Sequence, residues 1–107
     1  MSRAIAPKIW IIAAQDNVGT VVGNEAPARA TVPMIGAVSG AMEVQSPIPH
    51  GHKVALQPLP SGADVVKYGV VIGRLVRPVG AGEHVHTHNL ESLRGRGDTA
   101  NAQRDRQ

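Results

Sequence analysis

PLPSGADV at residues 58–65 and PVGAGEHV at residues 78–85 decide the fold. Pro58, Leu59, Gly62 and Val65 return twenty positions later as Pro78, Val79, Gly82 and Val85. Each copy reads as a turn that launches a strand, with proline presetting φ and glycine free to take the positive φ that the turn needs. The strands expected behind these turns cover residues 64–68 and 83–88, and two further glycines bracket a short apolar run at 70–72. Two copies make a pseudo-repeat, too few for a solenoid.

The rest of the chain reads the same way. Residues 8–13 (KIWIIA) are apolar almost throughout and so predict a strand buried on both faces. Asp16 and Asn17 supply ordinary turn chemistry, followed by β-rich runs at 18–22, 41–45 and 52–56, with Pro47 and Pro49 marking a turn before the last. Residues 23–40 mix Gly, Pro, Ala and Asn and read as a loop. Val and Ile number 21 against five Leu, and the chain holds 12 Gly and eight Pro. β-branched side chains lose freedom in helices and pack well on pleated surfaces. The expectation is an all-β domain of short strands with long loops and little helix. At 107 residues there is room for one core: an N-terminal arm (1–7), a β-domain (8–93) and a disordered basic tail (94–107).

Charge and composition exclude several function classes. The formal net charge of +3 is concentrated in the tail, where Arg94, Arg96, Arg104 and Arg106 face only Asp98 and Asp105. The body is nearly neutral, and Trp10 and Tyr68 are its only aromatics, so it offers neither the basic stripe nor the stacking platform that nucleic acid wants. The absence of Cys removes disulfides, thiolate metal sites and a cysteine nucleophile, and fits a reducing compartment. No 18-residue apolar run and no signal-peptide pattern is present, so the chain reads as cytoplasmic, away from membranes. There is also no phosphate loop, serine elbow or dinucleotide fingerprint, which makes catalysis by this chain alone improbable.

The chemistry-bearing segment is GEHVHTHN at residues 82–89. On a strand, His84, His86 and His88 fall on one face, and neutral imidazole is a common ligand for iron, zinc, nickel or copper. Three ligands from one strand are strained, so two ligands with help from elsewhere is the better geometry. An exposed polar strand face is the alternative. His50 and His52 form a second group at strand spacing, with Gly51 between them allowing close backbone approach. Lys53 and Lys67 lie in β-rich runs, where a buried ammonium needs an anion; they read either as a carboxylate pocket or as exposed strand positions.

Four ordered blocks then carry a resemblance: DNVGTVV at 16–22, IPHGHKVAL at 48–56, VVKYGVVIG at 65–73 and GEHVHTHNL at 82–90. They resemble the small domain of the altronate and galactarate dehydratase family. That resemblance implies the SAF or β-clip fold, shared with type III antifreeze proteins and the C-terminal domain of sialic acid synthases. It also implies a hydro-lyase of the altronate type that removes water from a sugar acid to give a 2-keto-3-deoxy acid, with Fe²⁺ or Mn²⁺ as divalent metal. The partner implied is a large catalytic subunit, this chain being the small one, and the ligand a small carboxylate. The similar (2R)-sulfolactate sulfo-lyase alpha subunit gives a second reading, expulsion of sulfite. The His-rich block resembles altronate dehydratase and the sulfo-lyase more than galactarate dehydratase. Carried onto this sequence, the resemblance implies catalytic roles for His84, His86 and His88, metal contact by His86 and His88, and substrate binding by His52, Lys53, Lys67 and Asn89. One position departs: Ala13 stands where the family often has a His. A different class is a non-catalytic carbohydrate- or metal-binding module, as other β-clip domains bind without catalysing, and a third is a purely structural docking subunit.

Overall fold

The computed structural model describes residues 5–92, and among them there is no helix. The expected basic tail and the first four residues of the arm lie outside the described residues. Nine strands form: β1 (Lys8–Ile11), β2 (Val18–Val22), β3 (Thr31–Gly36), β4 (Gly40–Glu43), β5 (Lys53–Ala55), β6 (Asp64–Lys67), β7 (Val70–Leu75), β8 (His84–Val85) and β9 (Leu90–Ser92). A six-stranded sheet has the order β4-β3-β1-β2-β5-β8, and a three-stranded sheet the order β6-β7-β9. β1 and β3 run parallel, and every other pair is antiparallel.

The turn-strand unit seen twice in the sequence occurs four times in the structure. In each copy a residue with positive φ, namely Arg29 (69°), Gly51 (85°), Gly62 (87°) and Gly82 (83°), donates its N–H to a carbonyl within a strand or just after one. The acceptors are Val44, Val21, Leu75 and Ala55, and each donates its own N–H back to the residue after the turn: Ala30, His52, Ala63 and Glu83. All four acceptors are buried. The copies also pair with one another. Ala26 and Ile48 exchange two backbone hydrogen bonds of 2.9 Å, as do Leu59 and Val79. The sequence reading missed the copy at Gly51, although Pro47, Ile48, Gly51 and Val54 repeat the spacing, and the copy at Arg29, where Glu25, Ala26, Arg29 and Val32 keep only the apolar positions.

Three other expectations are corrected. β1 is not buried on both faces: Ile9 and Ile11 are fully buried while Trp10 is 46% exposed. It stops at Ile11 because the Asp16 side chain accepts the Ala13 N–H and its backbone N–H donates to the Ala13 carbonyl, closing a turn. The loop expected at 23–40 contains β3, whose alternation buries Val32; Pro33 sits at an exposed position within it and disguised the strand. The strand expected at 83–88 is two residues long, because the chain turns at residues 86–89 and re-enters as β9.

Two aliphatic clusters make up the core. One joins Ile9, Ile11, Val21, Val32, Val44, Ile48 and Val54; the other joins Val18, Ala55, Leu59, Val65, Leu75, Val79 and Val85. β2 and β5 contribute to both, Val21 and Val54 to the first, Val18 and Ala55 to the second. Burial of this surface, at roughly 25 cal/mol per Å², is the main force holding the sheets together.

Candidate functional site

The imidazoles meet where β5 lies against β8. The register pairs Lys53 with Val85 and Val54 with His84, so one residue further along His52 stands opposite His86. Directly opposed side chains on an antiparallel pair are close neighbours and diagonal ones remain within reach of rings. The rings of His52 and His86 accordingly stack with centroids 3.9 Å apart and planes 16° apart. His84 takes the diagonal seat, its ring 5.0 Å from His52 and 5.5 Å from His86. His52 Nδ1 and His84 Nε2 are hydrogen-bonded at 2.8 Å, one of the two carrying the hydrogen. One ligand nitrogen from each of His52, His84 and His86 lies within 4.8 Å of the others.

His88 stands outside this trio. Its ring is 5.2 Å from that of His84 and tilted by 41°, and it lines an open depression of about 310 Å³ with Arg77, Gln45 and Glu83. The turn after β8 lifts it off the common face that a continuous strand would have given it. His50 lies in the exposed turn before His52 and has no ring contact among the described residues.

Asn89 shapes the segment. It is 4% exposed; its Oδ1 accepts the His86 N–H at 2.9 Å and its Nδ2 donates to the His84 carbonyl at 2.8 Å. Both ends of the amide are thereby engaged with backbone, and Asn89 holds the turn from which the two imidazoles project.

Electrostatics keep His84 and His86 neutral near pH 7. Burial, then the neighbouring His52, His88, His86 and Lys53, push the His84 pKa down to about 4. Burial, followed by His52, Lys53 and His88, also lowers that of His86. Near pH 7 both rings offer free lone pairs. Lys53 is half-buried, and burial followed by the Lys67 charge lowers its pKa. It flanks His86 in a second depression of about 200 Å³, with Thr87 beside it and Ile72 and Leu90 as apolar wall. An ammonium there gains from an incoming anion.

The Lys67 charge acts on Lys53 from β6, and its Nζ sits 4.3 Å from the Tyr68 ring centroid. The Asp-Asn pair read as a plain turn does more than turn. Asp16 accepts the N–H groups of Tyr68 (3.0 Å) and Gly69 (2.8 Å), and Asn17 bonds Val66 N–H through Oδ1 and the Asp64 carbonyl through Nδ2. These bonds dock the β6–β7 hairpin on the β1–β2 turn. Burial alone would raise the Asp16 carboxyl, but the N–H groups of Gly69, Ala13, Tyr68 and Ile12 outweigh it and its pKa lies below the ordinary value. Nothing in the local sequence distinguishes this clamp from a solvated Asp-Asn turn, because its partners are some fifty residues away.

The donor set suits a divalent transition metal. Three imidazole nitrogens match iron, zinc, nickel or copper better than manganese, which prefers oxygen, and they leave coordination positions open. Of the two metals implied by the family resemblance, iron is the better fit to these residues.

A β-clip-like, all-β architecture carrying this imidazole group defines a class, and comparison with known proteins identifies it. Residues 7–93 match the altronate/galactarate dehydratase SAF domain, and the chain belongs to that family. Among individual relatives, it is 48% identical over 52 residues to the (2R)-sulfolactate sulfo-lyase subunit alpha of Chromohalobacter salexigens, covering 49% of this chain and 55% of that one. The subunit alpha of the same name from Paracoccus pantotrophus is 45% identical over 53 residues, 50% of this chain and 79% of the relative. Altronate dehydratase of Bacillus subtilis is 40% identical over 52 residues, 49% of this chain but 10% of that enzyme. The chain thus spans about half of the first of these relatives and a small part of the dehydratase. The relatives are lyases or lyase subunits.

Proposed function

We propose that the chain is the small subunit of a heteromeric, metal-dependent lyase acting on a small hydroxy acid, giving His and Lys side chains to a site shared with a large subunit. The observation that carries this reading is the trio His52, His84 and His86, brought together from the β5 and β8 segments with one ligand nitrogen of each within 4.8 Å of the others. Eliminating water next to a carboxylate requires a base for the α-proton, a stabiliser for the enediolate that forms, and an acid for the departing hydroxide. A divalent metal held by His52, His84 and His86 would act as Lewis acid for the second need. With its pKa near 4, His84 suits a ligand or hydrogen-bond acceptor and is too weakly basic to be the proton donor at neutral pH. Lys53, desolvated beside His86, would anchor the substrate carboxylate, with Lys67 adding to the positive field. His88 faces the other depression, where it would meet the leaving-group side of the substrate. The base comes from the large subunit. The product for a sugar acid is a 2-keto-3-deoxy acid, formed in the cytoplasm.

The similarity to two sulfo-lyase alpha subunits, one of them spanned over 79% of its length, favours a second reading within the same architecture, in which sulfite leaves in place of hydroxide. One experiment separates them. The chain is recovered with its co-purifying partner, analysed for metal, and assayed with altronate, galactarate and (2R)-sulfolactate. Keto-acid release from a sugar acid supports the dehydratase and sulfite release selects the sulfo-lyase. Full metal content and turnover in the His52→Ala and His86→Ala complexes would overturn the site.

A further inference from the structure

The tip of the β6–β7 hairpin carries an aromatic where the backbone asks for a small residue. Lys67 pairs with Val70, leaving a two-residue loop, and both loop residues have positive φ, Tyr68 at 58° and Gly69 at 76°. Positive φ at both positions is the type I′ hairpin turn, for which Asn-Gly is the favoured pair. A bulky residue in this region is a genuine backbone outlier. Burial does not compensate for it, because Tyr68 is 53% exposed. The surroundings nevertheless lock it in place: the Asp16 carboxylate holds the N–H groups of both loop residues, and Asn17 grips the preceding strand at Val66 and Asp64. A strained, exposed, rigidly held aromatic is the signature of a functional constraint.

What surrounds the side chain indicates its use. The Lys67 ammonium lies over the Tyr68 ring, and Lys53, which the fields of both Lys67 and Tyr68 reach, opens onto the depression that His86 borders. Lys53, Lys67 and Tyr68 are thus near enough to act on one another, beside the depression that His86 borders.

We propose that Tyr68 is a substrate-binding residue, whose hydroxyl donates to an anionic oxygen of the substrate held by Lys53 and Lys67. This rests on the reading of the imidazole trio as part of a lyase site and adds the group that orients the acid's anionic end. A hydrogen bond to a charged oxygen is among the stronger kinds, and its loss should appear in ground-state binding.

The test uses the complex of the chain with its large subunit, turning over whichever of altronate and (2R)-sulfolactate it accepts. Tyr68→Phe is expected to raise KM by roughly tenfold with kcat little changed, since only the hydroxyl is lost. Tyr68→Asn, which suits the turn, is expected to raise KM at least as far while the isolated chain melts no lower than wild type. Wild-type KM in Tyr68→Phe would overturn the proposal, as would failure of Tyr68→Asn to assemble with the large subunit, which would make the hairpin tip a docking contact together with the exposed Val70 and Val71. His86→Ala is measured alongside: if it is impaired while Tyr68→Phe is not, this inference alone has failed, and if it too is silent, the site reading has failed with it. Independently of turnover, titrating the full chain with malonate as a carboxylate probe should shift the Tyr68 ring resonances in NMR spectra, and their constancy would count against the assignment.

Discussion

Replacing Asn89 by Ala should loosen the imidazole trio without touching an imidazole. The substitution removes the acceptor of the His86 N–H and the donor to the His84 carbonyl, both in a residue only 4% exposed. Each buried hydrogen bond contributes about 1 kcal/mol net, and a backbone group left without a partner adds a further penalty of about 1 kcal/mol or more. Water can reach the turn at 86–89 once the side chain is gone, so one of the two stranded groups is rehydrated. The sum is a loss of about 3 kcal/mol. With an m-value of about 1.5 kcal/mol/M for a domain of this size, the urea midpoint should fall by about 2 M. The functional readout is separate: Co²⁺ binding to the chain, followed by its visible absorption, should weaken by about 10- to 100-fold, the usual effect of removing a group that orients metal-bound histidines. A midpoint within about 0.3 M of wild type, or unchanged Co²⁺ affinity in a folded Asn89→Ala chain, would refute the argument that this amide holds the turn from which His84 and His86 project.

Other outcomes follow from the turns and the titrating groups. A Cβ on Gly82 would stand 2.3 Å from the Glu43 carbonyl oxygen, whereas one on Gly51 meets nothing within 4 Å, and both residues have positive φ. Gly51→Ala should therefore cost only the backbone term of about 1 kcal/mol and Gly82→Ala clearly more, by thermal melting. His84 has its folded pKa depressed from 6.5 to about 4, so its contribution to stability is complete above pH 6.5 and is lost as the pH falls toward 4. After allowance for solvent screening of a half-exposed ring, the loss should be about 1–2 kcal/mol, and His84→Gln should flatten that part of the stability curve. For Asp16, also depressed, the contribution is present above its ordinary pKa of 3.8 and disappears as the pH drops below it. Asp16→Asn should cost about 1–3 kcal/mol at pH 7 and remove this acid limb, measured by urea unfolding at pH 7 and pH 3.

The strand content was legible because valine and isoleucine dominate the apolar residues and Gly and Pro punctuate them, and the turn spacing around Gly62 and Gly82 was visible as a repeat. The copy at Arg29 was not, since an arginine there gives no hint of positive φ. β3 was hidden by Pro33, a residue that argues against a strand interior. At the candidate site, the trio was half legible: alternation put His84 and His86 together, but it also promised His88, which the turn fixed by Asn89 carries away. His52 entered the trio through the β5–β8 register, a long-range pairing over some thirty residues that local spacing does not encode. The Asp16 clamp and the Tyr68 backbone were invisible for the same reason.

β5 has a consequence for how the molecule comes apart. Val54 packs in one cluster and its neighbour Ala55 in the other, and β2 straddles them in the same way through Val21 and Val18. Neither cluster can open without stripping one face from strands that the other needs. The chain should melt in a single transition despite having two centres of packing. Its two aromatics lie one on each sheet, Trp10 on β1 and Tyr68 at the end of β6, so indole emission and the tyrosine near-ultraviolet signal watch the two halves separately and should report the same midpoint.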